Sequence, residues 1–330
     1  MPTNPIDFVL WPIKWGIEGI LVAWHWVFTT FGLDPDAGIT WVLSIIGLTV
    51  VVRAALIPIF VRQIKSQRRM LEVAPQLKKI QDKYKGKKDQ FSREAMSRET
   101  MELYKRTGTN PLSSCLPLLL QMPIFFGLFS VLNGAQHQNE DGSHNPGVFW
   151  LDQDLSTSFG TSSLFDVAPL HLSISTSNGN VAVIVIALVM IVAMTSSQFI
   201  TQLQIMSKNQ SPELKASPMY RQQRILLYIL PLVFAFSGYA FAIGVMFYWL
   251  ASNFWTMAQQ FIVIRNMPTP GSEAALAREA RLARQRQRRG ITEENPDAVG
   301  SVLEEEAKKP QRQQPVNKNR AKKKSGGNRK

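Results

Sequence analysis

The chain has 330 residues, of which 45% are hydrophobic, and it carries a formal net charge of +13 and one cysteine. A single cysteine excludes a disulfide framework and a thiolate metal site within the chain. The apolar residues form long runs and the charges lie between them. This segregation is typical of an all-α polytopic membrane protein with charged loops.

The N-terminal segment, residues 1–38, is rich in aromatic residues. Four of them are spaced to share one helix face: Trp11, Trp15, Trp24 and Phe28. Tryptophan prefers the headgroup level of a membrane. We therefore expect an amphipathic helix on the outer membrane surface. An additional span over residues 16–31 is the alternative, although this stretch is short for the purpose.

The run over residues 39–61 is apolar, long enough to cross a bilayer, and interrupted by one arginine. About 20 helical residues at 1.5 Å each cover the roughly 30 Å hydrocarbon core. Arg53 lies past the middle of this run, where an arginine costs on the order of 3 kcal/mol on insertion scales. Because Arg62 follows only after about 14 Å of helix, snorkelling to the headgroups is the less favoured alternative. We expect Arg53 to face water, protein or a substrate.

The segment over residues 62–110 is polar and basic. Between Arg62 and Arg106 it has 14 Lys or Arg against 6 Asp or Glu. Apolar residues recur at helical spacing on both sides of a Lys-Gly-Lys-Lys turn near residue 86. This pattern predicts a helical hairpin outside the bilayer, with Pro75 starting a new helix after a break.

Four more spans follow, predicted over residues 113–133, 181–201, 225–240 and 242–264. The last two come from one run without a charge, 225–264. As a single helix this run would be about 60 Å long, twice the hydrocarbon thickness, so it must turn back near residue 238. Gln121 lies in the middle of the second span, where a glutamine most often bonds another helix.

The charges of the connecting segments predict the orientation. The segments after the first and third spans are basic, whereas residues 135–180 contain five acidic residues and no Lys or Arg. The positive-inside rule then predicts a multi-pass protein of the cell membrane with its N-terminus outside and its C-terminus in the cytoplasm. A sixth, N-terminal span would change only the position of the N-terminus.

The tail, residues 265–330, carries 17 Lys or Arg against 8 Asp or Glu. Its composition is that of a disordered or partly helical basic arm with an arginine-rich patch near residues 280–289. Anionic lipids would attract such an arm, and so would RNA through counterion release. The residues alone do not distinguish between anionic lipids and RNA as the partner of this arm.

No motif of an enzyme active site or of a cofactor or metal site is present in the sequence. What remains is a set of polar residues inside predicted spans: Arg53, Gln121, Thr195 to Gln198, Ser252 and Asn253. Together they suggest a hydrated cavity that opens toward one side. An anion channel or transporter that uses Arg53 as its binding charge is one hypothesis.

Several stretches resemble one family, the YidC/Oxa/Alb membrane protein insertases. They are TVVVRAALIP around Arg53, ELYKRTGTNPLSSCLPLLLQMPIFFGLF, FWLDQDLS and MFYWLASNFWTMAQQ. The match runs in consistent order from residue 41 to 264. The chain is similar to the short type of this family that Gram-positive bacteria have. Where many members have Pro-Ala-Gly-Leu before the last span, this chain has Phe-Ala-Ile-Gly at 241–244.

The resemblance implies a five-helix transmembrane core with a cytoplasm-facing hydrophilic groove, no cofactor and no enzymatic reaction. It implies a groove lined by Arg53, Gln121, Gln198 or Gln202, and Trp249. The implied partners are nascent membrane proteins, the Sec translocon, and the ribosome through hairpin and tail, besides anionic lipids.

Overall fold

The computed structural model describes residues 5–87, 89–109, 116–136, 139, 144–215 and 218–289. Within them the chain forms ten helices: α1 Pro5–Thr30, α2 Gly38–Lys83, α3 Gln90–Thr107, α4 Leu116–Gln136, α5 Gln153–Thr161, α6 Val181–Lys208, α7 Pro212–Lys215, α8 Pro218–Gly238, α9 Ile243–Asn266 and α10 Glu273–Arg288. Two short antiparallel strands, β1 Ser163–Leu164 and β2 Ala168–Pro169, pair with each other. The chain divides into two compact units, Met1–Leu276 and Ala277–Lys330.

Helix α2 is continuous over 46 residues and includes both Pro58 and Pro75. The prediction that Pro75 follows a break and starts a new helix is therefore wrong. Strong helix formers surround Pro75 (leucine, glutamate, alanine, glutamine and lysine), and their propensity offsets the one backbone hydrogen bond that proline removes. At 1.5 Å per residue the helix is roughly 70 Å long, so its second half extends well past a hydrocarbon core that the first half can cross.

The second half of α2 packs against α3. Lys83 forms an ion pair with Glu99, and the Tyr84 hydroxyl donates to the same carboxylate over 3.0 Å. Asp89 caps α3 by accepting a hydrogen bond from the backbone N–H of Ser92, and Gly108 ends the helix in a left-handed conformation. Polar contacts therefore join these two helices, and the caps stabilise α3 itself.

The core of the first unit lies among α1, α2, α4, α6 and α9. Its fully buried side chains recur at three- and four-residue intervals on these helices: Ile17 and Leu21, Trp41, Ile45 and Leu48, Leu128 and Leu132, Val183 and Ala187, Ile243 and Met246. Gly47 lets α1 approach closely, because a Cβ there would lie 2.7 Å from the Trp24 ring. Helix α8 packs on α6 instead of this core.

Residues 144–180 form an ordered layer over one end of the helices, which we call the cap. It contains α5 and the β1–β2 hairpin. The backbone N–H groups of Ile243 and Gly244, which begin α9, donate to the carbonyls of Leu172 and Leu170 over 3.0 Å. The acidic residues of this segment are partly explained by capping, since Asp152 caps α5.

Glu18 of α1 fastens the cap. Its carboxylate is fully buried and accepts hydrogen bonds from three consecutive backbone N–H groups, those of Val148 (2.6 Å), Phe149 (2.9 Å) and Trp150 (3.2 Å). A Cβ at Gly147 would lie 2.5 Å from this carboxylate, so only glycine fits there. The buried charge is thus compensated by charge-assisted hydrogen bonds.

A second contact joins the cap to α1 and α2. The buried His25 ring stacks on Trp41 with ring centroids 4.0 Å apart and bonds the carbonyl of Pro35 over 2.9 Å. The Trp41 indole N–H donates to the Ser158 hydroxyl of α5 over 3.2 Å. Cap, α1 and α2 therefore form one packed end of the molecule.

Among the described residues, two helical segments are long and apolar enough to cross a membrane, Gly38–Ser66 and Val181–Lys208. Shorter apolar helices cover Gln121–Ala135 and Leu227–Gly238. The fold is therefore mostly helical and is consistent with an all-α membrane protein.

The helical arginine-rich patch expected over residues 280–289 of the partly helical tail lies, up to Arg288, within a helix of the structure. Glu273–Arg288 forms α10, because alanine, leucine and arginine are strong helix formers and dominate this stretch. Residues 290–330 lie outside the described residues. Before α10, Pro268, Thr269 and Ser272 are buried, and the Thr269 N–H donates to the Asn209 side chain over 2.8 Å.

We predict that Glu18→Gln loosens the cap. A glutamine turns an N–H2 group toward backbone donors, which costs about 3 kcal/mol when buried amides lose their acceptor. The amides of residues 148–150 should then exchange hydrogen about 100-fold faster in mass spectrometry. Asp154→Asn, at an exposed acidic residue of α5, is the control and should leave this exchange unchanged. Equal exchange in the wild type and both variants would contradict a role of Glu18 in holding the cap.

We also predict that the contact of α2 with α3 depends on pH. The ion pair lowers the pKa of Glu99 from its ordinary 4.5 and raises that of Lys83 from 10.5. Its stabilisation is complete between these ordinary values and is lost as pH falls through the lowered pKa or rises through the raised one. Nitroxide labels at positions 79 and 102, in a Cys115→Ser background, should report a broader distance distribution in acid. Glu99→Gln should abolish this acid dependence.

Candidate functional site

Arg53 of α2 contacts two residues of α9 that are one helical turn apart. Its guanidinium donates a hydrogen bond to the Ser252 hydroxyl. Tyr248, one turn earlier on α9, interacts electrostatically with Arg53. Both α9 side chains are buried, with 4% and 3% of their surface exposed. The arginine of the first predicted span is therefore held by hydroxyl groups of the last one.

Gln121 of α4 joins the same group. Its side-chain amide donates to the Tyr248 hydroxyl over a long hydrogen bond of 3.4 Å. Three helices that are far apart in sequence thus meet at one polar cluster, which we call the Arg53 cluster: Arg53, Gln121, Tyr248 and Ser252. The interhelical bond expected for a glutamine within a span is formed here.

Burial changes along α2 at Arg53. Ile45, Leu48 and Thr49, on the cap side, are buried, whereas most residues from Val50 to Ile59 are exposed. The buried residues of α9 likewise concentrate in its cap-side half, and among the described side chains of α4, residues 121–135, the buried ones lie from Gly127 onward. The Arg53 cluster therefore lies where the packed, cap-covered half of the helices gives way to a more open half.

Helix α6 supplies further polar groups beside α9. The Asn253 side chain donates to the Met194 carbonyl over 3.4 Å, and Thr195 has a buried hydroxyl oxygen without a hydrogen-bond partner. Gln198 and Gln202 are half-buried on α6, and within the described residues neither is hydrogen-bonded to Arg53. The structure thus brings Gln121 to the cluster but leaves these two glutamines outside its bonds.

Trp249 belongs to an aromatic group beside the cluster. Its ring stacks on Phe125 of α4 with ring centroids 5.4 Å apart. It meets Phe234 of α8 and Phe241 edge-on, with centroid distances of 5.3 and 4.7 Å. Helices α4 and α9 touch only lightly through their backbones. Large aromatic side chains therefore line the contact between these two helices, which we call the aromatic seam: Phe125, Phe234, Phe241 and Trp249.

The sequence did not single out Tyr248 or Glu18. Tyr248 lies four residues before Ser252, so both project from one face of a helix, and this spacing is the signal that could have found it. No comparable pattern marks Glu18, whose partners are backbone groups about 130 residues away. Within the part of the chain that the structure describes, no group of three or more His, Cys, Asp or Glu could hold a metal ion.

Comparisons with known proteins agree with the resemblance. The family model described as 60Kd inner membrane protein matches residues 32–270. The chain is 41% identical over 322 residues to a protein of Tropheryma whipplei (strain Twist) named membrane protein insertase YidC, with 95% of this chain and 96% of that protein covered. Proteins with the same name in Streptomyces avermitilis and Bifidobacterium longum are 42% and 33% identical, over 82% and 95% of this chain and 61% and 95% of theirs.

The matched range contains all four residues of the Arg53 cluster, the cap and the aromatic seam. With more than half of the chain matched and 41% identity over nearly its whole length, this protein belongs to the 60Kd inner membrane protein family of YidC, Oxa and Alb insertases.

Proposed function

We propose that the Arg53 cluster is the site at which this membrane protein insertase accepts nascent membrane proteins. The observation that carries the proposal is the position of a permanent cation at the boundary between a sealed half and an open half of the helices. Its hydroxyl partners are neutral, so the charge remains available to a substrate. A chain that only had to fold in lipid would be more stable with an apolar residue at this position.

The physical task explains the arrangement. A new transmembrane segment with a hydrophilic flank must carry that flank across hydrocarbon, at a cost of several kcal/mol for each unpaired polar group. A wet recess that reaches partway into the bilayer shortens the dry path. Arg53 attracts acidic residues of the flank, and burial of the apolar segment in lipid supplies the free energy without a nucleotide.

The orientation follows from the charges and the burial together. Helices α2, α4, α6, α8 and α9 form the five spans of a multi-pass protein, with the cap outside and the hairpin of α2 and α3 in the cytoplasm. The acidic, Lys- and Arg-free cap segment and the basic hairpin support this orientation. The recess then opens to the cytoplasm and is closed toward the outside, while α1 lies at the outer face.

The aromatic seam between α4 and α9 is the proposed exit for the apolar part of the substrate. Trp249, Phe125 and Phe241 offer an apolar, ring-lined surface next to the Arg53 cluster. A flank held at Arg53 therefore places the following apolar residues against this surface. Gln198 and Gln202 on α6 line the recess on the side opposite α4.

The basic hairpin and the tail recruit partners in this proposal. The tail contacts ribosomes or anionic lipids, and the hairpin meets the nascent chain as it emerges; the Sec translocon is a further partner for larger substrates.

The alternative of an anion channel or transporter finds no support in the relatives named above. The five spans predicted from the sequence show no obvious inverted repeat, which also favours insertion.

We predict that Arg53→Ala lowers insertion of substrates with acidic translocated flanks by about tenfold, equivalent to about 1.4 kcal/mol. Arg53→Lys keeps the cation and should retain most activity. The measurement is protease protection of in vitro translated single-span substrates in proteoliposomes. Arg62→Ala, at an exposed arginine of the same helix, is the matched control, and equal activity of Arg53→Ala and this control would contradict a functional groove charge.

We predict that removing residues 277–330 weakens ribosome co-sedimentation and makes the remainder less sensitive to salt, because Lys and Arg contacts to RNA release counterions. The cut leaves the buried Thr269 and Ser272 in place. A shorter deletion of residues 290–330 retains α10 and tests its arginines separately. Unchanged ribosome binding, with lost binding to anionic vesicles, would assign the tail to lipid.

A further inference from the structure

Arg53 is surrounded by helices that contain no carboxylate. The sequences of α2 up to residue 61, α4, α6, α8 and α9 include neither Asp nor Glu. Glu18, the buried carboxylate of the neighbouring α1, is bonded to the cap backbone. No internal anion on these spans is therefore available to neutralise the guanidinium.

The contacts of Arg53 on α9 are of a different kind. Ser252 accepts a hydrogen bond through a neutral hydroxyl, and Tyr248, one turn earlier, accepts one from Gln121 and interacts electrostatically with Arg53. Because the guanidinium carries five N–H donors in a fixed fork, one bond to Ser252 leaves donors for a carboxylate. The hydroxyls orient the side chain without cancelling its charge.

We propose that Ser252 and Tyr248 are positioning residues that make the site selective for acidic flanks, by holding Arg53 with neutral groups only. This inference rests on the proposed function of the Arg53 cluster. An anion at position 252 would form an internal ion pair with Arg53 and compete with the substrate. The substrate class is then a single apolar segment whose translocated flank carries Asp or Glu.

Competition explains why the identity of one α9 residue decides selectivity. A carboxylate fixed on α9 meets the arginine at a high effective concentration, whereas a carboxylate of the flank must first enter the recess. A neutral side chain of the same size cannot form this ion pair. Charge and size at position 252 are therefore separable by mutation.

The decisive variants are Ser252→Asp and Ser252→Asn, which differ in charge and hardly in volume. Each is assayed in proteoliposomes with two substrates that differ only by Glu or Gln in the translocated flank. Ser252→Asp should lower insertion of the Glu substrate about tenfold and leave the Gln substrate within about twofold, while Ser252→Asn should treat both substrates alike. Equal losses with both substrates, or no loss with either, would overturn the inference.

Removal of the hydroxyls gives a second measurement should Ser252→Asp not fold. Ser252→Ala and Tyr248→Phe should each lower insertion of the Glu substrate about threefold and leave insertion of the Gln substrate unaffected. Ser252→Thr keeps a hydroxyl at this position, so it should insert the Glu substrate as well as the wild type does. Loss with both substrates would show a merely structural role. Arg53→Ala separates the two proposals. If this variant inserts both substrates as well as the wild type does, the proposed function of Arg53 itself is overturned. If Arg53→Ala lowers insertion of the Glu substrate but Ser252→Asp does not, only the positioning role of Ser252 and Tyr248 is overturned.

Discussion

A permanent cation within apolar helices is the constraint on which this structure depends. Arg53 keeps its charge, because an arginine guanidinium stays protonated in proteins. It must therefore be solvated by protein or by water, and α9, which packs against α2, provides the Ser252 hydroxyl. The meeting of α2, α4 and α9 at the cluster follows from this need.

The molecule treats its two buried charges in opposite ways. The Glu18 carboxylate receives three backbone hydrogen bonds from the cap, so both its oxygens are occupied and it acts as a fixed fastening. Arg53 has a neutral partner and lies where burial ends. The first charge closes the outer face in the proposed orientation, and the second remains available to a substrate. A closed outer face is what allows a wet recess without a leak through the membrane.

The sequence predicted the features that depend on composition. Long apolar runs and the charge asymmetry of the loops pointed to a helical membrane protein, and the resemblance of four sequence stretches pointed to the family that the comparisons confirm. Features that depend on pairing were missed, since Glu18 binds backbone groups about 130 residues away and Tyr248 accepts a hydrogen bond from Gln121 of another helix. Pro75 was misjudged because local helix propensity outweighed the proline, and the same propensity orders α10.

The depth of Arg53 is itself informative. A cation near the headgroups would attract acidic flanks equally well but would leave the whole hydrocarbon thickness still to be crossed. One near the cap would shorten the path further, yet it would need a deeper opening through side chains that now form the densest part of the core, around Trp41, Ile45 and Leu48. In the proposed function, the boundary position of Arg53 combines a shortened dry path with an intact seal. Moving the charge by one turn along α2 in either direction would then lose one of these two properties.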